Sequence, residues 1–185
     1  MRTNDTFART VNAPTTHVGT TGISSLILLA VLVAAGLILN MTLGNALAMT
    51  GIKPQFIIAA YALAILLTRS TFAQAAVFGL VSAAVIQIST SIPGLNFATE
   101  VAGALTMAAL IRLDVRIAGR SVTPLVAAFA ATLVSGALFA VAGTVISGFA
   151  IEAALVKVPL VLGTAVFNAF VVQALYLPLR AALKR

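Results

Sequence analysis

The stretch Ile23-Ser24-Ser25-Leu26-Ile27-Leu28-Leu29-Ala30-Val31-Leu32-Val33-Ala34-Ala35-Gly36-Leu37-Ile38-Leu39-Asn40-Met41 contains no charged residue. Coiled as a helix at 1.5 Å per residue, it rises about 28 Å, close to the ~30 Å hydrocarbon thickness of a bilayer. It reads as a spanning helix. A secretory signal is the weaker reading, although Arg2 and Arg9 precede the run. The run continues to full span length with no small-residue cleavage site behind it.

Five more apolar runs follow along the chain. The second, about Pro54–Thr68, lies between Lys53 and Arg69 and is short, so its flanking cations snorkel or the bilayer thins. The third covers about Thr71–Ser89. A break, Ser91-Ile92-Pro93-Gly94-Leu95-Asn96, separates it from the fourth, about Phe97–Leu113. The fifth, about Val122–Ser147, is the longest, and the sixth covers about Val158–Leu179. The expected fold is an all-α integral membrane bundle of six transmembrane helices. It comprises a polar tail at 1–21, a membrane substrate-binding domain at 22–180 and a basic tail at 181–185.

Composition agrees. Of 185 residues, 61% are hydrophobic and 8% charged, and the mean hydropathy is +1.14. A soluble domain carries about 25% charged residues, so this chain cannot cover its apolar bulk in water. With the N-terminus inside, Arg2, Arg9, Arg69, Arg112, Arg116, Arg120, Arg180, Lys184 and Arg185 fall on the cytoplasmic side, and only Lys53 and Lys157 fall outside. The positive-inside rule asks for this asymmetry. It places both termini in the cytoplasm, in a multi-pass protein of a prokaryotic plasma membrane. The +7 net charge then faces anionic lipid rather than nucleic acid.

Several chemistries are excluded. With no cysteine there are no disulfides, thiolate metal sites or cysteine nucleophiles, and His17 alone makes no His-His metal site. No phosphate-binding Gly-x-x-x-x-Gly-Lys-[Ser/Thr] loop is present. No nucleophile–base pair stands out, so the chain reads as a binding or translocation unit rather than an enzyme, and no cofactor is expected.

Charges inside a bilayer need a reason. Lys53, Glu100, Glu152 and Lys157 lie on the outer side of this topology. Glu100 follows the Pro93-Gly94 break by about a turn. It is either a helix-entry residue wetted at the headgroups or a ligand for a cationic amine. Lys53 is an interfacial anchor or a partner for a carboxylate. Glu152 and Lys157 read as solvated loop residues. Gln55, Asn96, Asn168 and Gln173 are polar positions at the breaks or within the sixth span, either bonding helix to helix or touching a ligand. Phe56 and Phe97 adjoin the outer breaks and either pack in the core or wall a pocket. Small residues at four-residue spacing (Ala30/Ala34, Ala75/Gly79/Ala83, Ala104/Ala108, Ala127/Ala131 and Gly136/Ala140) suit close helix packing in lipid.

Gly51-Ile52-Lys53-Pro54-Gln55-Phe56, Ala64-Ile65-Leu66-Leu67, Ile92-Pro93-Gly94, Val166-Phe167-Asn168 and Leu175-Tyr176-Leu177-Pro178 occur in this order. In these segments, from about Leu39 to the C-terminus, the chain resembles the substrate-binding S component of energy-coupling factor (ECF) transporters. The tryptophan-type S component is the most similar. The chain departs from that pattern at Gln55, where the family tends to have an acid, and at Leu95-Asn96, where it has Gly-Gln. It also lacks the family's Asp-Lys pair a few residues on, with Glu100 alone standing for the acid. The resemblance implies capture of a small solute at the outer face, tryptophan or a related amino-acid or vitamin-like molecule. It further implies a transmembrane T component and two ATPase subunits that supply the energy, and a docking surface on the first span that Ala30 and Ala34 match in spacing. Lys53, Gln55, Phe56, Asn96, Phe97, Glu100 and Asn168 are the candidate substrate-binding residues. The alternatives are an assembly subunit without a small ligand and a stand-alone carrier.

Protease or tag mapping in membrane vesicles is expected to find Arg116 and the carboxyl end on the same side of the bilayer. Opposite sides would break the six-span count.

Overall fold

The computed structural model describes residues 19–49, 53–113 and 115–183. The chain is all-α and about 81% helical, and its architecture is set by α3 (Phe56–Thr68). This helix has no polar face, and every residue from Phe56 to Leu66 is buried. A helix that is apolar all round is stable only when enclosed on all sides. The enclosure is provided by α1 (Gly19–Leu39), α4 (Phe72–Ile86), α5 (Leu95–Leu110), α6 (Thr123–Ile146) and α7 (Val158–Leu183), all of which touch α3. The last four pack consecutively, each on its neighbour in the chain, whereas α1 lies chiefly on α3.

Local chemistry explains the ends of these helices. Helix α1 continues through one π turn, Asn40–Gly44, into the short α2 (Asn45–Ala48). The buried Asn40 turns its side chain across to α3, where Oδ1 accepts from the backbone N–H of Phe56 at 3.1 Å. An otherwise orphaned donor at the start of α3 is thus capped from another helix. Arg69 ends α3 in the left-handed region at φ 49°. Thr71 and Gln74 then form a reciprocal capping box at the start of α4. The break before α5 turns on Gly94, at φ 85°, whose N–H donates to Gln87 Oε1 at 3.0 Å. A small antiparallel pair, β1 (Arg116–Ile117) and β2 (Arg120–Ser121), joins α5 to α6, and a 3₁₀ segment, Ile151–Lys157, leads into α7.

All six expected runs are helical, but their lengths differ from the sequence reading. The first extends from Gly19 through Ala48 instead of ending at Met41, and the last reaches Leu183, so the tail expected at 181–185 begins inside a helix. Residues 1–18, most of the expected N-terminal tail, lie outside the described residues. The second, third and fourth runs shorten to 13, 15 and 16 residues. Among the described residues, three helices are long and apolar enough to cross a membrane, at Gly22–Ala48, Thr123–Ile146 and Ile151–Leu183. Their outward faces expose Ile23, Ile27, Val31, Val145, Phe170 and Leu177, an arrangement suited to lipid.

Small residues let the inner helices meet. Ala75, Gly79 and Ala83 of α4 face Ala104 and Ala108 of α5 in the core. A Cβ at Gly79 would lie 2.9 Å from both the Glu100 carbonyl oxygen and Val101 Cα, which leaves no room for a side chain. Ala30 and Ala34 differ from this set, because they are exposed on the face of α1 turned away from Leu29 and Val33.

Replacing Gly79 by Val is expected to destabilise the bundle by about 1–3 kcal/mol, the usual cost of overpacking. Thermal unfolding in detergent reads the effect. Gly22→Ala, where nothing lies within 4 Å of the added carbon, is the neutral comparison.

Candidate solute-binding cavity

One end of the bundle, where the connections before α3, before α5 and before α7 gather, holds a cavity of about 330 Å³. The acid in its lining is Glu100. Residues 96 and 100 are four apart on α5 and share a face, and both are buried and line the cavity. Glu100 is only 3% exposed. One carboxylate oxygen, Oε1, accepts from Ser135 Oγ of α6 at 3.2 Å. The other, Oε2, makes no bond of good geometry. The fully buried Tyr61 hydroxyl of α3 and the Asn96 side chain stand beside this carboxylate as hydrogen-bonding neighbours. Gly103 makes space for that hydroxyl, since a Cβ there would come within 2.5 Å of it.

The segment Lys53-Pro54-Gln55 forms a second wall, and α7 holds it by its backbone. Thr164 Oγ1 donates to the Lys53 carbonyl at 3.0 Å, and Asn168 Nδ2 donates to the Gln55 carbonyl at 3.1 Å. Asn168 also donates to Thr132 Oγ1 at 3.3 Å, so one amide ties α3, α6 and α7 together. With its backbone fixed in this way, Gln55 lines the cavity with a buried side-chain oxygen that has no partner. Across the break before α5, Thr90 Oγ1 donates to Asn96 Oδ1 at 2.5 Å.

The structure thus brings Lys53, Gln55, Asn96 and Glu100 together around one space. It places the other three sequence candidates elsewhere. Phe56 is buried and packs edge-to-face on Phe167, with centroids 5.8 Å apart. Phe97 is 40% exposed, because a step of one residue turns the helix by about 100° away from Asn96. Neither ring walls the cavity; Ile58, Ile86, Phe139, Leu160 and Val161 do so instead. Asn168 sits behind the wall as a support.

Two contributions escaped the sequence reading. Thr132 and Ser135 line the cavity from α6, and their three-residue spacing on one helix face was the available signal. Lys157, read as a solvated loop residue, is exposed and also lines the cavity, donating from Nζ to Thr144 Oγ1 at 2.9 Å. Glu152 is exposed outside it. The lining therefore carries one buried carboxylate and two lysines, both exposed. Among the described residues, no group of three or more His, Cys, Asp or Glu could hold a metal ion.

No family model matches the chain, and no curated protein or solved structure matches it either.

Proposed function

We propose that this chain is a six-span membrane subunit, both ends cytoplasmic, that captures a small zwitterionic solute from the outer face as the S component of an ECF-type importer. The observation that carries the reading is Glu100, a carboxylate that lines the cavity while only 3% exposed, with Oε2 in no well-formed hydrogen bond. A buried polar atom without a partner is costly, and a ligand that completes its hydrogen bonds removes the cost. The solute's amine sits on Glu100 beside Tyr61 and Ser135. Its carboxylate turns to Lys53 at the exposed rim. Side-chain amides of Gln55 and Asn96 fix its orientation, and the apolar wall from Ile58 to Val161 receives its hydrophobic part. The cavity volume falls within the range of small-molecule pockets, which are mostly apolar with a few placed polar groups. Tryptophan is the first solute to try, on the resemblance carried by Lys53-Pro54 and Ile92-Pro93-Gly94. Irregular backbone at membrane depth is tolerated where it lines a cavity, as the two breaks do here.

No catalysis is assigned to the chain. Energy comes from partners, a transmembrane T component and two ATPases. The exposed Ala30/Ala34 face of α1 supports such docking, since small residues let a partner helix approach closely. That same face also suits the second reading, an assembly subunit with no small ligand.

Thermal-shift measurements on detergent-purified protein separate the two. Tryptophan at a hundredfold over its Kd is expected to add about 2.7 kcal/mol of stability. Tryptamine, which lacks the carboxylate, and indole-3-propionate, which lacks the amine, should each bind more weakly. Glu100→Gln should weaken tryptophan by roughly tenfold or more, the scale of a charge-assisted hydrogen bond, and leave indole-3-propionate nearly unaffected. Silence across amino acids and vitamins would leave the assembly reading standing.

Leucine at both Ala30 and Ala34 is expected to abolish co-purification with the T component and solute uptake while leaving solute affinity within about twofold, because docking and binding occupy different surfaces. Loss of binding along with docking would refute that separation.

A further inference from the structure

The charged groups of the cavity lining are Lys53, Glu100 and Lys157, one acid against two bases. An amine on Glu100 and a carboxylate on Lys53 leave the ammonium of Lys157 unmatched. Among the described residues that ammonium bonds to a hydroxyl and to no carboxylate. Glu152, the acid of the same connection, is exposed outside the lining.

The ammonium is also held in place. Thr144 Oγ1 donates to the Ala140 carbonyl at 2.7 Å, so its oxygen is left to accept, and Lys157 Nζ donates to it at 2.9 Å. An ammonium has three donors, and this bond uses one. A lysine that only anchors the chain at an interface extends its head into water. Lys157 instead turns its head onto Thr144, which is buried, and so stays at one height on α6.

Height decides what can reach it. Ser135, which holds the Glu100 carboxylate, and Thr144 are nine residues apart on α6, about 13 Å along the axis. Lys53 is tied through its carbonyl to Thr164, seven residues beyond Lys157 and about 10 Å along α7. The amine and α-carboxylate of an amino acid share one carbon. A head group seated on Glu100 and Lys53 therefore cannot extend its own carboxylate to Lys157. Between the two levels the wall is apolar, with Phe139 and Ala140 from α6 and Leu160 from α7.

We propose that Lys157 is a second anion subsite at the mouth of the cavity, and that the solute is an amino acid carrying a distal carboxylate across an apolar body. The inference rests on the solute-capture reading above and narrows its substrate class. Tryptophan, with one carboxylate, fills the inner positions and leaves Lys157 unengaged.

The test compares 4-carboxyphenylalanine with 4-carbamoylphenylalanine, two amino acids of the same shape that differ in the distal charge. Affinities are read by isothermal titration calorimetry on the full chain in detergent. Wild type is expected to prefer the carboxylate about tenfold, the scale of one charge-assisted hydrogen bond. Lys157→Met should bring the ratio close to one, and Lys157→Arg should restore most of it. Lys53→Met should weaken both ligands in proportion and keep the ratio. A wild-type ratio near one, or a ratio that survives Lys157→Met, overturns the subsite and leaves amino-acid capture standing. Loss of the ratio in Lys53→Met alone would put the distal carboxylate on Lys53 and overturn the assignment too. If tryptophan binds and neither phenylalanine derivative does, the subsite falls by itself. If none of the three binds, the capture reading falls with it.

Discussion

A thirteen-residue helix with no polar face must be surrounded, and the arrangement of this molecule follows from that constraint. Helix α3 cannot lie against water on any side, and burial of Phe56 through Leu66 requires neighbours all around. Four of those neighbours come from one continuous antiparallel run, α4 to α7, and the fifth is α1. Leu29, Val33 and Gly36 of α1 turn inward, and Gly36 is close enough to the Phe56 carbonyl that a Cβ would lie 2.9 Å away. Apolar burial contributes about 25 cal/mol per Å² in water. Where lipid is the solvent that term vanishes between helices, and close packing of small residues takes its place. The alanines and glycines along α3, α4, α5 and α6 are the material for such packing.

Enclosing α3 also concentrates polar groups at its ends. Each end of a helix leaves several backbone groups without intrahelical partners, and in this bundle other helices supply them. Asn40 reaches from α1 to the N–H of Phe56, and Asn168 reaches from α7 to the carbonyl of Gln55. These bonds satisfy the entry to α3 and at the same time hold Lys53 and Gln55 at the cavity. Structural support and site geometry therefore depend on the same few amides.

The apolar runs were legible because charge is so scarce that every span stands out. Their ends were less so. The first run reads as ending at Met41 because Thr42 and Asn45 look like loop residues. The helix continues because Thr42 Oγ1 bonds back to the Ile38 carbonyl at 2.7 Å and Asn45 Nδ2 to that of Met41 at 3.0 Å, so each polar side chain is satisfied within the helix itself. Glu100 and Lys53 could be singled out as costly charges beside backbone breaks. The meeting of Glu100 with Ser135 could not, since it joins residues 35 positions apart. The place of Lys157 in the lining was hidden for a related reason. It follows a loop-like stretch, and only the fold brings Thr144 beneath it. The two phenylalanines show the limit of proximity in sequence, because helical phase rather than nearness to a break decides which side chain enters the cavity.

The shortened helices α3, α4 and α5 give the breaks their use. At 1.5 Å per residue, α3 rises about 20 Å, whereas the 24 residues of α6 rise about 36 Å. Three short helices packed among long ones leave unfilled space at their ends, within the depth that the long ones span. Two cavities lie in that space, the one around Glu100 and a second of about 240 Å³ at the opposite end of the bundle. One is lined by residues at the start of α3, the end of α4 and the start of α5, the other by the ends of α3 and α5, with α6 and α7 completing each. Irregular backbone there has cavity to line rather than lipid to face. The chemistry of the two spaces then differs by what the connections carry, a buried acid with rim lysines at one end and arginines at the other. Lengthening the short helices to full span would fill both cavities. Their shortness is the feature that turns a packed bundle into one with a cavity at each end.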